Sequence, residues 1–143
     1  MSVSKFNAEG YHDPTVFEAL TNIEKEEKQR TKKKIVFICS PFAGDIEGNT
    51  RRARRYGRFA VTEKAVPIIP HLMYPQFLEE DDPEERQLGI DMGLILLGKC
   101  NELWVFGNRI SSGMRLEIAR AKRWNIPIRY FTNECAEIGG VSK

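Results

Sequence analysis

The sequence predicts a doubly wound α/β domain, because strand-like and helix-like segments alternate along most of its length and its first strand is apolar throughout. The run KIVFIC (34–39) is continuous and rich in β-branched residues, which is typical of a strand buried on both faces. Strands that alternate with helices form a parallel sheet covered by helices on both faces. A chain of 143 residues is expected to form one such Rossmann-like or flavodoxin-like domain with a sizeable core.

Three further strands and three helices follow this first strand. Asn49 is placed to cap a helix that runs to about Lys64, and VPIIP (66–70) predicts a short second strand. After the loop HLMYPQFLEEDD, the stretch DPEE (82–85) predicts a helix with a cap, a proline at its first position and a capping-box acid at its third. That helix is expected to end near Lys99. The last elements are ELWVFG (102–107), a helix at 113–124 and IPIRYF (126–131).

A polar arm, residues 1–33, precedes the domain. Asp13 is a candidate cap for a short helix with Pro14 at its first position, and an apolar stripe follows at Val16, Phe17, Leu20 and Ile23. The charged run EKEEKQRTKKK then predicts a solvated helix end and linker. The domain itself is expected at 34–133, with a C-terminal tail at 134–143, and the arm is expected to pack on the domain or on another subunit.

Composition excludes several classes of protein. The net charge of +2 gives no general attraction for nucleic acid or a membrane surface, and no apolar run is long enough to span a bilayer. The start of the chain does not resemble a signal peptide. Cys39, Cys100 and Cys135 lack metal-ligand spacing, and the first two lie in apolar contexts typical of a core. We expect a cytoplasmic protein with free thiols, no metal and no cofactor.

The order of elements locates a site before any motif is considered. Ligands of open parallel sheets bind at the carboxyl ends of the strands, near a topological switch point. The loops at 40–48, 71–82 and 107–112 leave those ends, and two of them lead into helix N-termini that favour anions. The predicted pocket contains Ser40, Pro41, Phe42, Asp45, His71, Tyr74, Asn108, Arg109, Ser111, Ser112 and Gly113.

One acid, Glu117, lies about a turn inside the helix that follows this last loop, in a segment that is otherwise basic or apolar. An ionised carboxylate that borders a ligand pocket can stabilise or attack a carbon that develops positive charge. The helix macrodipole favours the ionised form of a carboxylate in the first half of a helix. The alternative is a solvated glutamate that pairs with Arg115 or Arg120.

Several segments resemble the superfamily of nucleoside 2-deoxyribosyltransferases and 5'-monophosphate N-glycosidases, especially a bacterial and phage branch of it. The resemblance covers 34–132 and is carried by FICSPFAGD, VPIIPHLMYPQF, DDPEERQLGIDMG, CNELWVFG and, most specifically, SSGMRLEIARA. It implies that Ser111 and Gly113, with Arg109 as a further candidate, hold the sugar-phosphate side of a nucleoside or nucleotide. It implies that Glu117 is the nucleophile or oxocarbenium stabiliser, and that the protein is a homo-oligomer.

The sequence departs from that superfamily where the departing base is protonated. The family carries an aspartate eight residues before the third strand opens; counted back from Asn101, this position is Gly93. Asp91 is two positions away, about 200° around a helix, so only a register shift or an irregular helix brings it into the site. Phe37 also stands where relatives often carry a tyrosine. The sequence therefore leaves two functions open: N-glycosidic cleavage or transfer with Glu117 and Asp91, or non-catalytic nucleotide binding as a sensor or sponge.

Other candidate contacts each have two interpretations. His71 is a contact to base or phosphate, or a loop histidine bonded to backbone; Asp45 binds a sugar hydroxyl or only forms a turn. Tyr74 and Phe77 stack on a base as a lid, or fill space beneath their loop.

The cluster RRARRYGR (51–58) raises the question of nucleic-acid binding. On a helix its arginines at 51, 54, 55 and 58 share one face, and small or aromatic residues occupy the other. This arrangement predicts that the arginine face is solvated. Since no second basic element joins this face, nucleic acid and membranes are not expected partners. Arg51 and Arg52, beside the 40–48 loop, are placed to contact a phosphate.

Overall fold

The computed structural model describes residues 14–139, so the predicted helix cap Asp13 and the last four residues of the tail lie outside it. Its elements are α1 (Pro14–Lys32), β1 (Ile35–Cys39), α2 (Ile46–Thr62), β2 (Val66–Ile68), α3 (Pro70–Met73), a 3-10 turn (Tyr74–Gln76), α4 (Pro83–Leu97), β3 (Glu102–Phe106), α5 (Ser112–Arg123) and β4 (Ile128–Phe131).

The four strands form one parallel sheet in the order β2-β1-β3-β4. The chain leaves β1 towards β2 on one side and then returns to place β3 on the other side. The loops after β1 and β3 therefore diverge to opposite faces of the sheet, and the gap between their carboxyl ends is the switch point at which such folds bind ligands. The predicted α/β fold class is confirmed.

Side chains of β1 alternate between two cores. Phe37 and Cys39 face the helices α4 and α5, where they pack with Leu97 and Met114. Val36 and Ile38 face α2 and pack with its Tyr56. Every strand residue from Val36 to Cys39 is fully buried, as expected for a strand covered on both sides. The prediction that Cys39 and Cys100 are core thiols is confirmed.

Helix α2 begins four residues earlier than predicted, and its cap is not Asn49. Asp45 is the cap, because its carboxylate accepts a hydrogen bond from Gly48 N at 3.1 Å. Asn49 is buried inside the first turn and donates to the carbonyl oxygens of Phe42 (3.0 Å) and Ala43 (3.2 Å), which fixes the loop after β1. The solvated arginine face is confirmed, since the exposed positions are Arg51, Arg54, Arg55 and Arg58.

The region between β2 and α4 is more structured than a loop. Pro70 begins the one-turn helix α3, and the 3-10 turn follows directly. Asp82 caps α4 as predicted, accepting from Glu84 N at 3.0 Å. The predicted capping box is wrong, because Glu85 Oε1 accepts instead from Glu79 N at 2.6 Å and so holds the preceding loop.

Helix α1 forms one compact unit, and the chain from Lys34 onward forms another. The charged run lies almost wholly within α1, so the segment predicted as a linker is helical up to Lys32. Phe17, Leu20 and Ile23 are exposed on this helix. Across residues 14–139, no helix combines the length and apolar character needed to cross a membrane.

Candidate functional site

Two pockets open at the carboxyl edge of the sheet, and Ser40, the first residue after β1, lines both. The larger, called here the Glu117 pocket, has a volume of about 430 Å³, which lies in the range of small-ligand sites. It is enclosed by the loop after β1, α3, the 3-10 turn, α4 and the first turns of α5. Its predicted members are Ser40, Phe42, His71, Tyr74, Ser111, Ser112, Gly113 and Glu117.

The N-terminal turn of α5 forms one wall. Ser111 caps the helix, its hydroxyl accepting from Met114 N at 3.3 Å, which leaves the preceding amide groups of the turn without helical partners. A Cβ added at Gly113 would meet no atom within 4 Å, so the fold itself does not require glycine there. The open space beside Gly113 belongs to the pocket.

Glu117 projects its carboxyl group inward rather than into solvent. Its Oε1 is buried and has no hydrogen-bond partner among the described residues. The predicted alternative, a solvated glutamate paired with Arg115 or Arg120, is wrong: neither arginine forms an ion pair with it in this part of the chain, and Arg120 lies over the Trp124 ring at 5.8 Å.

Burial raises the pKa of Glu117 to about 7, and a hydrogen bond from the Cys39 thiol opposes that rise only in part. The expectation that the helix macrodipole keeps this carboxylate ionised is therefore wrong in its outcome, because desolvation outweighs a dipole contribution of roughly 0.3–1 kcal/mol. The pKa of Cys39 is raised by burial and by the nearby Glu117. Near neutral pH the Glu117 carboxyl group is therefore divided between its protonated and ionised forms.

An aromatic pair forms the opposite wall. The rings of Phe42 and His71 are stacked, with centroids 5.0 Å apart and planes inclined by 18°. His71 Nε2 lies 3.1 Å from the Ser40 carbonyl oxygen. A carbonyl only accepts, so Nε2 carries the proton, and because burial lowers the pKa of His71, the ring is neutral and Nδ1 remains an acceptor. The interpretation of His71 as a histidine bonded to backbone is confirmed, and its contact with a base or phosphate stays a prediction, although the ring lines the pocket.

The rim contains residues that the sequence did not single out. Glu80 and Arg86 line the pocket, on the loop before α4 and on α4 itself. Tyr74 lines it too, with its ring edge-on to Phe77 at 5.8 Å, but Phe77 is 64% exposed and does not fill a core. An acid-rich loop, EEDDPEE, was the available signal for Glu80, although nothing in it distinguished Glu80 from its neighbours.

Helix α4 supplies an apolar wall where the resemblance implied an acid. Gly93 is buried and lines the pocket, and a Cβ built there would rest 3.8 Å from Pro70. Asp91 lies outside the pocket on the exposed side of α4, where it accepts a hydrogen bond from Gln87 at 2.9 Å. The helix is regular through this segment, so no register shift brings Asp91 inward.

The smaller pocket, called here the Arg109 pocket, has a volume of about 190 Å³. It contains the other predicted residues Pro41, Asn108 and Arg109, which the structure separates from Glu117. Asp45 lines neither pocket and serves as the α2 cap. Within residues 14–139, no three His, Cys, Asp or Glu side chains are grouped so as to hold a metal ion.

Comparison with known proteins extends this description. The fold matches that of a 2-deoxyribosyltransferase from the psychrotolerant bacterium Bacillus psychrosaccharolyticus, a biocatalyst for nucleoside synthesis, with a TM-score of 0.59, 13% identity, and coverage of 76% of this chain and 77% of that one. No curated protein matches this chain in sequence. The model of the family described as a domain of unknown function, DUF7768, matches residues 34–131. Because that match spans well over half of the chain, the protein belongs to the DUF7768 family, and its fold is that of a 2-deoxyribosyltransferase.

Proposed function

We propose that the protein binds a nucleoside or 5'-nucleotide in the Glu117 pocket and cleaves its N-glycosidic bond, passing the sugar to a second base or to water. The observation that carries this proposal is the Glu117 carboxyl group, buried without a hydrogen-bond partner for Oε1 among the described residues and lining a pocket of suitable size. Ser111 and Gly113 hold the sugar of the ligand, and the stacked Phe42 and His71 rings offer an aromatic surface for a base.

The reaction needs the ionised form of Glu117. Its carboxylate attacks the anomeric carbon while the bond to the base nitrogen breaks, and the bonding electrons leave with the base. Water or a second base then attacks the same carbon and releases the carboxylate. The sugar develops positive charge next to the buried Glu117 carboxylate. That charge is largest in the transition state, so the carboxylate is stabilised most there.

The departing base also needs a proton, and Glu80 is placed to supply it. Glu80 and Glu117 are the two carboxylates that line the pocket among the residues described. Asp91, the acid suggested by the sequence, is held outside by its position on α4. We therefore assign Asp91 no contact with the ligand in this proposal.

A non-catalytic nucleotide binder is the second candidate function. It is favoured by the apolar α4 wall, where Gly93 occupies the position of the expected acid. A site without an efficient general acid loses a factor of about 10²–10⁴ in rate. Such a site still binds its ligand, and the protein would then act as a sensor or sponge. A homo-oligomer and a cytoplasmic location stay predictions.

A panel of ribo- and deoxynucleosides and their 5'-monophosphates tests both functions. Free base is measured by chromatography with the native protein, with Glu117→Gln and with a matched exposed control, Glu79→Gln. We expect base release from at least one ligand and a loss of about 10³-fold or more in Glu117→Gln. A thermal-shift measurement with the same ligands distinguishes the second function, because stabilisation without base release identifies a binder. If no ligand stabilises the protein and none releases base, the proposal is contradicted.

A further inference from the structure

Among the residues described, the Arg109 pocket is lined by arginines and no acid, whereas the Glu117 pocket contains two carboxylates. Of the nine residues that line it in the described chain, two are arginines and none is an acid. The pocket lies on the α2 side of β1, between the loops that follow β1 and β3, and meets the Glu117 pocket at Ser40. Cationic and neutral polar groups without carboxylates are the donor set that binds an oxyanion.

The two arginines keep donors available. Arg52 donates through Nη2 to Asn49 Oδ1 at 2.8 Å, and the carboxylate nearest to it, Asp45, is 3.5 Å away and largely exposed. That ion pair neutralises Arg52 only weakly, because exposed pairs contribute little. Arg109 has neither a hydrogen bond nor an ion pair within residues 14–139.

The floor of this pocket is held rigidly. Tyr56 donates its hydroxyl to Asn133 Oδ1 at 3.0 Å, and Arg55 donates to the Asn133 carbonyl at 2.7 Å. Gly107 turns the chain after β3 with φ +99°, a conformation that favours glycine, and a Cβ there would lie 3.1 Å from Asn133 Oδ1. Donors held in place lose little freedom when an anion binds.

Ser40 supplies a second observation that points to a ligand. It is 1% exposed, and its Oγ has no hydrogen-bond partner in the described chain. A buried hydroxyl without a hydrogen-bond partner destabilises the fold, and folded proteins seldom retain one away from functional sites. Because Ser40 lines the Arg109 pocket, its hydroxyl can donate to a group bound there.

We propose that the Arg109 pocket binds a phosphate group through Arg109, Arg52 and the Ser40 hydroxyl, as an anion site beside the Glu117 pocket. The phosphate is either free or carried by a ligand whose sugar and base occupy the Glu117 pocket; the second case rests on the proposed function. A volume of about 190 Å³ accommodates a phosphate group, whereas the larger neighbouring pocket is the one sized for a nucleoside.

Titration of the full chain with inorganic phosphate at low ionic strength tests the site. The backbone amide signals of Gly107 and Asn108 are followed by NMR in the native protein, Arg109→Gln and Arg54→Gln. Arg54 is an exposed member of the arginine cluster and lines neither pocket. Arg54→Gln therefore removes the same charge as Arg109→Gln without changing the pocket. We expect Arg109→Gln to weaken phosphate about tenfold or more and Arg54→Gln to change affinity less than about twofold.

A second arm identifies the source of the phosphate. If it belongs to the ligand, a 5'-monophosphate binds more tightly than its nucleoside, that advantage disappears in Arg109→Gln, and inorganic phosphate competes with it. If it is free, phosphate and nucleotide bind together. Both results support the site, whether or not base is released. Amide signals that do not respond to phosphate, or equal effects of Arg109→Gln and Arg54→Gln, overturn it.

Discussion

The two pockets at the carboxyl edge share Ser40, but one is lined by the buried acid Glu117 and the other by Arg109, which forms no ion pair among the described residues. On the α5 side, Glu117 is buried without a cation, and its pKa rises to about 7 because the Cys39 thiol offsets only part of the loss of water. On the α2 side, Arg109 and Arg52 line a pocket whose described residues include no acid. The fold thus keeps Glu117 and Arg109 apart, in adjoining pockets.

This separation has a chemical meaning. Unsatisfied groups that are held in place cost stability and are retained where a ligand satisfies them. A nucleotide under cleavage offers both complements, since its sugar develops positive charge and its phosphate is negative. Under the proposed function, the Glu117 pocket would receive the sugar and the Arg109 pocket the phosphate.

The largest effect on the rate in this group of variants is expected at Glu80, which lines the Glu117 pocket, and not at Asp91, which lies outside it. Glu80→Gln is expected to slow base release by about 10²-fold, because it removes the general acid on the rim. Asp91→Asn is the matched control and is expected to change the rate less than about twofold, since Asp91 lies outside. Single-turnover rates measured across both variants check this, and a larger loss in Asp91→Asn would contradict the assignment.

The cost of burying Glu117 predicts a pH-dependent stability. The folded pKa, about 7, lies above the usual 4.5, so the folded protein keeps a proton that the unfolded chain releases between those values. Stability therefore falls as pH rises through this window. Glu117→Gln should match the native protein near pH 4.5 and exceed it by roughly 3 kcal/mol above pH 7, from about 1.4 kcal/mol per unit of pKa.

Urea unfolding at pH 5 and pH 8 measures this difference. The exposed Glu79→Gln variant serves as control and should follow the native protein at both pH values. An equal stability of Glu117→Gln and the native protein at pH 8 would show that the carboxyl group is solvated rather than buried.

A smaller effect is expected at the α5 wall. Gly113→Ala adds a methyl group that meets no protein atom, so stability should not fall, and the higher helix propensity of alanine can raise it by up to about 1 kcal/mol. Nucleoside or nucleotide affinity should nevertheless fall about tenfold, because the methyl group occupies space in the pocket. Calorimetric titration beside thermal unfolding checks both. A variant that binds normally would place the ligand away from Gly113.

Local patterns predicted the strands well because each is a short, largely apolar run with few competing interpretations. The start of α2 was less predictable, because Asp45 and Asn49 are both good caps and only the loop carbonyls that Asn49 binds decide between them. Helix α3 was missed because a four-residue helix has no periodicity to detect.

The candidate site was predictable as a set of loops but not as two pockets. Arg109 and Ser111 lie on the same loop but line different pockets. Which of them lies near Glu117 depends on how that loop packs against the rest of the fold, which local sequence does not determine. The burial of Glu117 was equally hidden, since three arginines surround it in sequence within six positions. Only the packing of α5 against β1 shows that its carboxyl group meets Cys39 and not a guanidinium.

The pH dependence of kcat/KM for base release tests whether Glu117 is the reacting group, because kcat/KM reports ionisation in the free enzyme. In Glu80→Gln, where the proposed general acid no longer titrates, a reacting Glu117 carboxylate makes the remaining kcat/KM rise about tenfold per pH unit below pH 7 and level off above it, following the pKa of about 7. Glu117→Gln should show no such limb at any detectable rate. A rate that is flat from pH 5 to pH 8, or one that survives in Glu117→Gln, would contradict the assignment of Glu117 as the reacting group.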